Sequence, residues 1–265
     1  MNSKIKIMGV LNITDNSFYD GGKFIELSKS ITHVKQIIDD GADIIDIGAE
    51  SSKPGSDPVT SVDQIKKIEP LVEAVREISD IPISIDTRSS EVIKKLLKYN
   101  INIVNDISSL EDFELIDIIK DNNLSVSLMH MQGTPKVMQH NPAYNNVVED
   151  IFTYLKNKAE LCLSHGINKD KIIIDPGFGF GKTLEHNYII LNNLKKFSNL
   201  GFNILSGISR KSMIGDVLNV PPSDRLYGTI AASVIAIKNH TNILRVHDVR
   251  ETSILLNFRD LIKNS

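Results

Sequence analysis

Eight short apolar runs, each followed by a longer amphipathic stretch, constrain this chain more than any other feature. The runs occupy residues 4–13, 42–48, 81–86, 101–107, 124–131, 171–175, 202–208 and 243–247. Ile and Val dominate them, as expected for parallel strands covered on both faces. The stretches between them read as helices. "SVDQIKKIEPLVEAVREIS" sets Val62, Ile65, Ile68, Leu71, Val72, Val75 and Ile78 at helical spacing. "SSEVIKKLLKYN" opens on serines and a glutamate, and "NVVEDIFTYLKNKAELCLSHG" closes on Gly166, a natural C-cap. Eight strand–helix units at roughly 33 residues each predict an α/β chain closed into a single-domain (β/α)8 TIM barrel. A doubly wound open sheet is the alternative, but no G-x-G-x-x-G follows the first strand. No linker or composition break interrupts residues 1–265, which are expected to form one domain.

Composition narrows the function classes. Hydrophobic residues make up 41% of the chain, and the formal net charge is −3 with scattered charges, so nothing argues for nucleic acid. The single cysteine, Cys162, precludes an internal disulfide or a Cys-rich zinc site and reads as a packing residue. "MNSKIKIMGVLNIT" invites a signal-peptide reading, but its apolar run is short and no small-residue cleavage site follows. No stretch approaches the ~18 apolar residues of a membrane span. The expectation is a soluble, cytoplasmic protein.

In such a barrel the active site lies at the C-terminal ends of the strands. Those ends supply Asn12, Asp86, Asn105, His130, Asp175, Lys211, and Arg245 with His247, while the second strand leads into a loop over 50–58. Polar groups in a dry mouth need partners, and so many on one face are hard to explain structurally. Asp86 and Asp175 could be an acid/base pair as in glycoside hydrolysis, but the chain has no Trp for a sugar platform. Alternatively, they could accept paired hydrogen bonds from the N–H-rich edge of a 2-amino-4-oxo heterocycle. Arg245 and His247 lie two apart on one strand and point the same way. With Lys211 in "SGISRKS" they suit a phosphate, at a place where barrels often bind one. Arg245 could instead simply pair with Asp248 or Glu50. Asn12 offers a neutral oxygen for Mg2+ shared with a diphosphate. The spacing of His130 and His140 matches no metal motif, and no G-x-S-x-G elbow occurs.

"MGVLNITDNSFYDGG", "GADIIDIGAESSKPG", "ISIDTRSSEV", "IVNDIS", "LMHMQGTPKVMQ", "DPGFGFGK", "SGISRKS" and "RVHDV" occur in an order that resembles the dihydropteroate synthase family, from Met8 to Leu256. The resemblance implies a transferase of folate biosynthesis. It would condense 6-hydroxymethyl-7,8-dihydropterin diphosphate with 4-aminobenzoate, giving dihydropteroate and diphosphate. It implies a pterin pocket of Asp86, Asn105, Met129, Asp175, Gly207 and Lys211. It also implies a diphosphate site of Asn12, Arg245 and His247, with Asn12 holding Mg2+. Phe18, Ser52, Lys53, Pro54, Phe180 and Ser209 would shape the aminobenzoate side. Lys211, Arg245, His247, Asp86 and Asp175 are the implied catalytic set, and a homodimer through the last helices is the family expectation.

Two loops depart from the family pattern. "TDNSF" stands for the usual T-P-D-S-F, and "SSKPG" for S-T-R-P-G. Lysine lacks the planar fork of arginine, so Lys53 is expected to pair with Asp15 in place of an Asp–Arg contact. These changes bear on aminobenzoate affinity and sulfonamide sensitivity, not on the pterin pocket. Two rival readings share the pocket: a methyltetrahydrofolate-dependent methyltransferase, which has no need of "RVHD", and a pterin-binding paralogue without catalysis.

Overall fold

The computed structural model describes residues 4–13, 23–51 and 54–263. Strands β1 (Lys6–Asn12), β2 (Ile44–Gly48), β3 (Ile83–Asp86), β4 (Ile103–Asp106), β5 (Ser125–Met129), β6 (Ile172–Asp175), β7 (Asn203–Ser206) and β8 (Ile243–Val246) pair in parallel in sequence order. β1 also pairs with β8, with Met8 beside Arg245, so the sheet closes and the open-sheet alternative falls. The ring is wrapped by α1 (Lys23–Asp39), α2 (Ser61–Ile78), α3 (Ser90–Leu96), α4 (Glu114–Asp121), α5 (Val147–Ser164), α6 (Leu184–Asn192), α8 (Leu226–Lys238) and α9 (Val249–Lys263). The eight-unit reading misses one α-helix among the described residues, besides short 3-10 turns. A short helix, α7 (Ser212–Leu218), stands between β7 and α8.

Strand alternation divides the side chains. Ile45, Ile47, Ile83, Ile85, Val104, Val126, Leu128, Ile172, Ile174, Ile204, Leu244 and Val246 join the core between sheet and helices. Fully burying each such side chain contributes about 1.5–3 kcal/mol. The opposite parity faces the barrel axis. Met8, Ile44, Ile103, Ile173, Leu205 and Ile243 form a separate apolar cluster that floors the barrel. Two residues further along their strands, the same parity brings Asn105, Asp175 and Arg245 to the mouth and Asp46 to just beneath it, so the pleat that builds the floor also aims the site.

Local expectations hold with instructive exceptions. α2 starts on Thr60, whose hydroxyl accepts from Asp63 N at 3.2 Å. Ile68, Leu71, Val72 and Val75 are buried along it, but the end positions Val62 and Ile78 are exposed. Gly166 follows α5 with φ +89°, and Cys162 is buried in the core. The start of α3 is not capped by its own serine. Asp112, from the β4–α4 connection, accepts from Ser90 N at 2.8 Å instead. Among the described residues, no helix is long and apolar enough to cross a membrane.

Candidate active site

The β6–α6 loop sets one wall of the mouth. Gly177 has φ +71°, and a Cβ there would come 1.9 Å from the His130 carbonyl oxygen, so only glycine allows the loop to lie against the end of β5. Asp175 Oδ1 accepts from Gly177 N at 2.8 Å, which fixes the carboxylate at the strand end. Lys182, itself buried, fastens the loop from behind. Its ammonium donates to Phe180 O at 2.8 Å and His130 O at 3.2 Å, and lies 3.0 Å from His130 Nδ1.

His130 is therefore not a mouth residue. It is one position past Met129, on the opposite parity, and it packs edge-to-face with Tyr154 and at a tilt to Tyr144. Burial, reinforced by Lys182, drives its pKa down to about 3, so it stays neutral. Met129 does face the axis side, in an apolar cluster with Ile107, Met138 and Phe180. Lys211 Nζ lies 4.5 Å over the Phe180 ring and donates to Phe178 O. Burial lowers the Lys211 pKa to about 8, Arg245 adding to the effect while Asp175 opposes it. Burial likewise raises the Asp175 pKa, against the pull of Lys211.

On the opposite wall, Asp86 of the expected pterin set and Arg245 of the expected diphosphate set are in direct contact. Arg245 pairs with neither Asp248 nor Glu50. Asp248 is held by Arg210 at 2.6 Å and Glu50 by Arg88 at 2.6 Å. Instead, Arg245 Nε donates to Asp46 Oδ2 at 2.7 Å, and Nη2 lies 2.7 Å from the same oxygen and 2.8 Å from Asp86 Oδ2. Asn105 Nδ2 reaches both Asp46 oxygens at 3.3 and 3.4 Å. The acids and the arginine form one contiguous cluster. Asp46 is not among the expected site residues, because it lies one pleat below the strand end. The available signal was a carboxylate inside the apolar run "ADIIDIG", which demands a cation in the closed barrel.

One cation shared by two dehydrated carboxylates leaves an excess negative charge. Burial pushes the Asp86 pKa up to about 7, with Asp46, Glu50 and Asp106 adding to the rise and Arg245 opposing it. The group is neutral below that value and ionised above it. If the carboxylate is the active form, kcat/KM falls on the acid side of about pH 7 with the slope of one proton, which a pH–rate profile measures. The effect on stability has the opposite sign. Between the unfolded value and the raised folded value, only the native state holds this proton, so this group alone stabilises the fold as pH falls.

His247 does not add the expected positive charge. Burial, then Arg245, depress its pKa to about 4, and its Nδ1 lies 3.1 Å from Ser209 Oγ. Ser209 thus supports the His247 ring. Of the residues expected on the aminobenzoate side, Pro54 lines a cleft of about 260 Å³ with Lys182, Ser212 and Met213. Phe18, Ser52 and Lys53, and the Asp15–Lys53 contact, lie outside the described residues. Asn12 is exposed at the end of β1, beside Gly48, and Gly207 follows β7 within 4 Å of Lys211 and Arg245 as measured from its Cβ position. Among the described residues, no three His, Cys, Asp or Glu side chains are grouped to hold a metal ion.

A pterin-binding-enzyme family profile matches residues 8–247. The dihydropteroate synthase of Haemophilus influenzae is 43% identical over 251 residues, covering 95% of this chain and 91% of that protein. Among solved structures, Yersinia pestis dihydropteroate synthase in a sulfonamide drug complex superposes with a TM-score of 0.92 at 39% identity, covering 99% and 95% of the two chains. The Clostridium difficile dihydropteroate synthase, solved in the presence of pteroic acid, gives a TM-score of 0.90 at 40% identity, with 98% and 97% covered.

Proposed function

The chain belongs to the pterin-binding enzyme family and acts as a dihydropteroate synthase, and from that premise we infer how its barrel mouth works. The C–O bond at the CH2 of 6-hydroxymethyl-7,8-dihydropterin diphosphate breaks, and its electron pair leaves with the diphosphate. The amine of 4-aminobenzoate forms the new C–N bond and releases a proton to water. Positive charge develops on the ring and negative charge on the leaving group, so catalysis is a matter of prearranged electrostatics.

Asp175 accepts from the N–H edge of the pterin, and Asp86 and Asn105 complete its rim. Met129 covers one ring face. Lys211, near Phe180, lies toward the aminobenzoate, and Pro54 borders that substrate's slot. Pteroic acid, present with the related C. difficile protein, unites the pterin and aminobenzoate halves, consistent with adjoining pockets for both. Arg245 and the His247 ring receive the diphosphate. The observation that carries this reading is the Arg245 guanidinium: Nε and Nη2 are engaged, while Nη1 makes no hydrogen bond among the described residues and remains available to an anion.

Mg2+ fits the donor set as an ion brought in with the diphosphate. Asn12 offers one neutral, exposed oxygen, as suits an ion that keeps most of its water. When bound, it would neutralise charge on the departing diphosphate. The apolar side chains exposed on α8 and α9, among them Tyr227, Val234, Ile254 and Phe258, support a homodimer through these helices.

Incubation with the pterin diphosphate and labelled 4-aminobenzoate, with and without Mg2+, tests the reading. The expected result is one dihydropteroate and one diphosphate per turnover, faster with Mg2+. Pterin binding without diphosphate release, or methyl transfer from methyltetrahydrofolate, would sink it.

A further inference from the structure

Two carboxylates in the barrel have no solvent exposure at all, Asp46 and Asp106. Asp106 is satisfied by its own turn, accepting from Ser108 N, Ser108 Oγ and Leu110 N at 2.7 Å each. Asp46 has no such local partners among the described residues. Its bonds there run to Arg245 on β8 and to Asn105 on β4, each two strands away. A buried charge held in this way by residues of the reaction site is a costly arrangement unless it serves that site.

We propose that Asp46 is a positioning residue: it tethers the Nε and Nη2 side of Arg245, and so keeps Arg245 from closing fully onto Asp86 and leaves Nη1 directed to the leaving group. This rests on the dihydropteroate synthase reading. Asp46 and Asp86 compete for one guanidinium group, since Nη2 is shared between them at 2.7 and 2.8 Å. Taking the charge from Asp46 leaves Asp86 as the sole carboxylate on Arg245. The arginine then swings to Asp86, and two groups are lost to the substrate together. The charged groups facing Asp86 are Arg245 from β8, Asp46 and Glu50 from β2 and its following loop, Asp106 from β4, and Lys211 from beyond β7.

The test compares wild type with Asp46→Asn, Arg245→Ala and the double variant. Wild-type turnover is established first, so that failure of the activity itself is seen separately. Asp46→Asn is expected to lower kcat roughly 10–100-fold, less than the ~10²–10³-fold for outright loss of a transition-state donor, because Arg245 is displaced and not removed. KM for 4-aminobenzoate should stay within about twofold, and the acid limb of the pH profile should move to lower pH. In the Arg245→Ala background the same substitution should cost at most about twofold, because its effect passes through that side chain. Multiplicative losses in the double variant, or an unmoved acid limb with unchanged kcat, overturn the proposal. If Asp46→Asn does not fold, Asp46→Glu keeps the charge but displaces it by a methylene. A lowered kcat with the acid limb in place is then expected, and wild-type kcat overturns the idea.

Discussion

Replacing Arg245 with Ala should lower kcat on the order of 10²–10³-fold, the loss seen when one transition-state donor is removed from a preorganised site. KM for the pterin diphosphate should change less than kcat, because the developing charge on the departing group is what Nη1 meets. A raised KM at unchanged kcat would instead mean that Arg245 binds ground state and transition state equally. The same substitution should weaken the fold. Arg245 is held above its ordinary pKa: burial opposes its charge, but Asp46 and Asp86 outweigh that effect. Its removal leaves these two carboxylates buried against each other, and breaking a buried pair in this way costs about 3–5 kcal/mol. Protonation of Asp86 relieves the repulsion, so the loss should be smaller in acid than in alkaline buffer. Urea unfolding on both sides of neutrality measures it.

Asp175→Asn should be at least as damaging to the reaction and much less so to stability. The amide can keep the Gly177 N–H bond through its oxygen, so the loop stays in place. Its NH2 group then faces ring N–H donors where the carboxylate accepted. Sites built around a buried polar match reject the mismatch by about 10⁴–10⁵, and kcat/KM for the pterin diphosphate should drop by ~10³ or more. Lys211 also loses the carboxylate that opposes its desolvation, so its pKa should fall further. Calorimetric titration with the pterin alone separates this from a leaving-group defect. Undiminished pterin affinity in the variant would remove Asp175 from the pocket.

The barrel itself was legible because eight Ile/Val runs carry the periodicity of covered parallel strands, and the polar strand ends followed from parity. Position along the pleat was less legible. His130 was grouped with the mouth residues although Met129, one position earlier, already claims the inward parity. Asp46 shares its parity with Asp86 yet sits below the rim, so it is not among the polar strand termini. His247 counts as basic in a sequence, but its charge depends on burial and on a guanidinium two residues away, and both follow from closure of the ring. The short α7 was hidden because seven residues between a strand end and a longer helix leave no periodic signature.

The Asp46–Arg245 bond joins residues 199 positions apart, on the second and last strands. During synthesis at ~5–20 residues per second, the carboxylate leaves the ribosome roughly 10–40 s before its cation exists. Until then no nascent chain can hold the reaction centre, and a message truncated before the Arg245 codon yields a polypeptide with an unmatched acid in its interior. Catalytic competence in this enzyme thus waits on synthesis of the eighth strand, and copies that stop short of it are left as substrates for proteolysis.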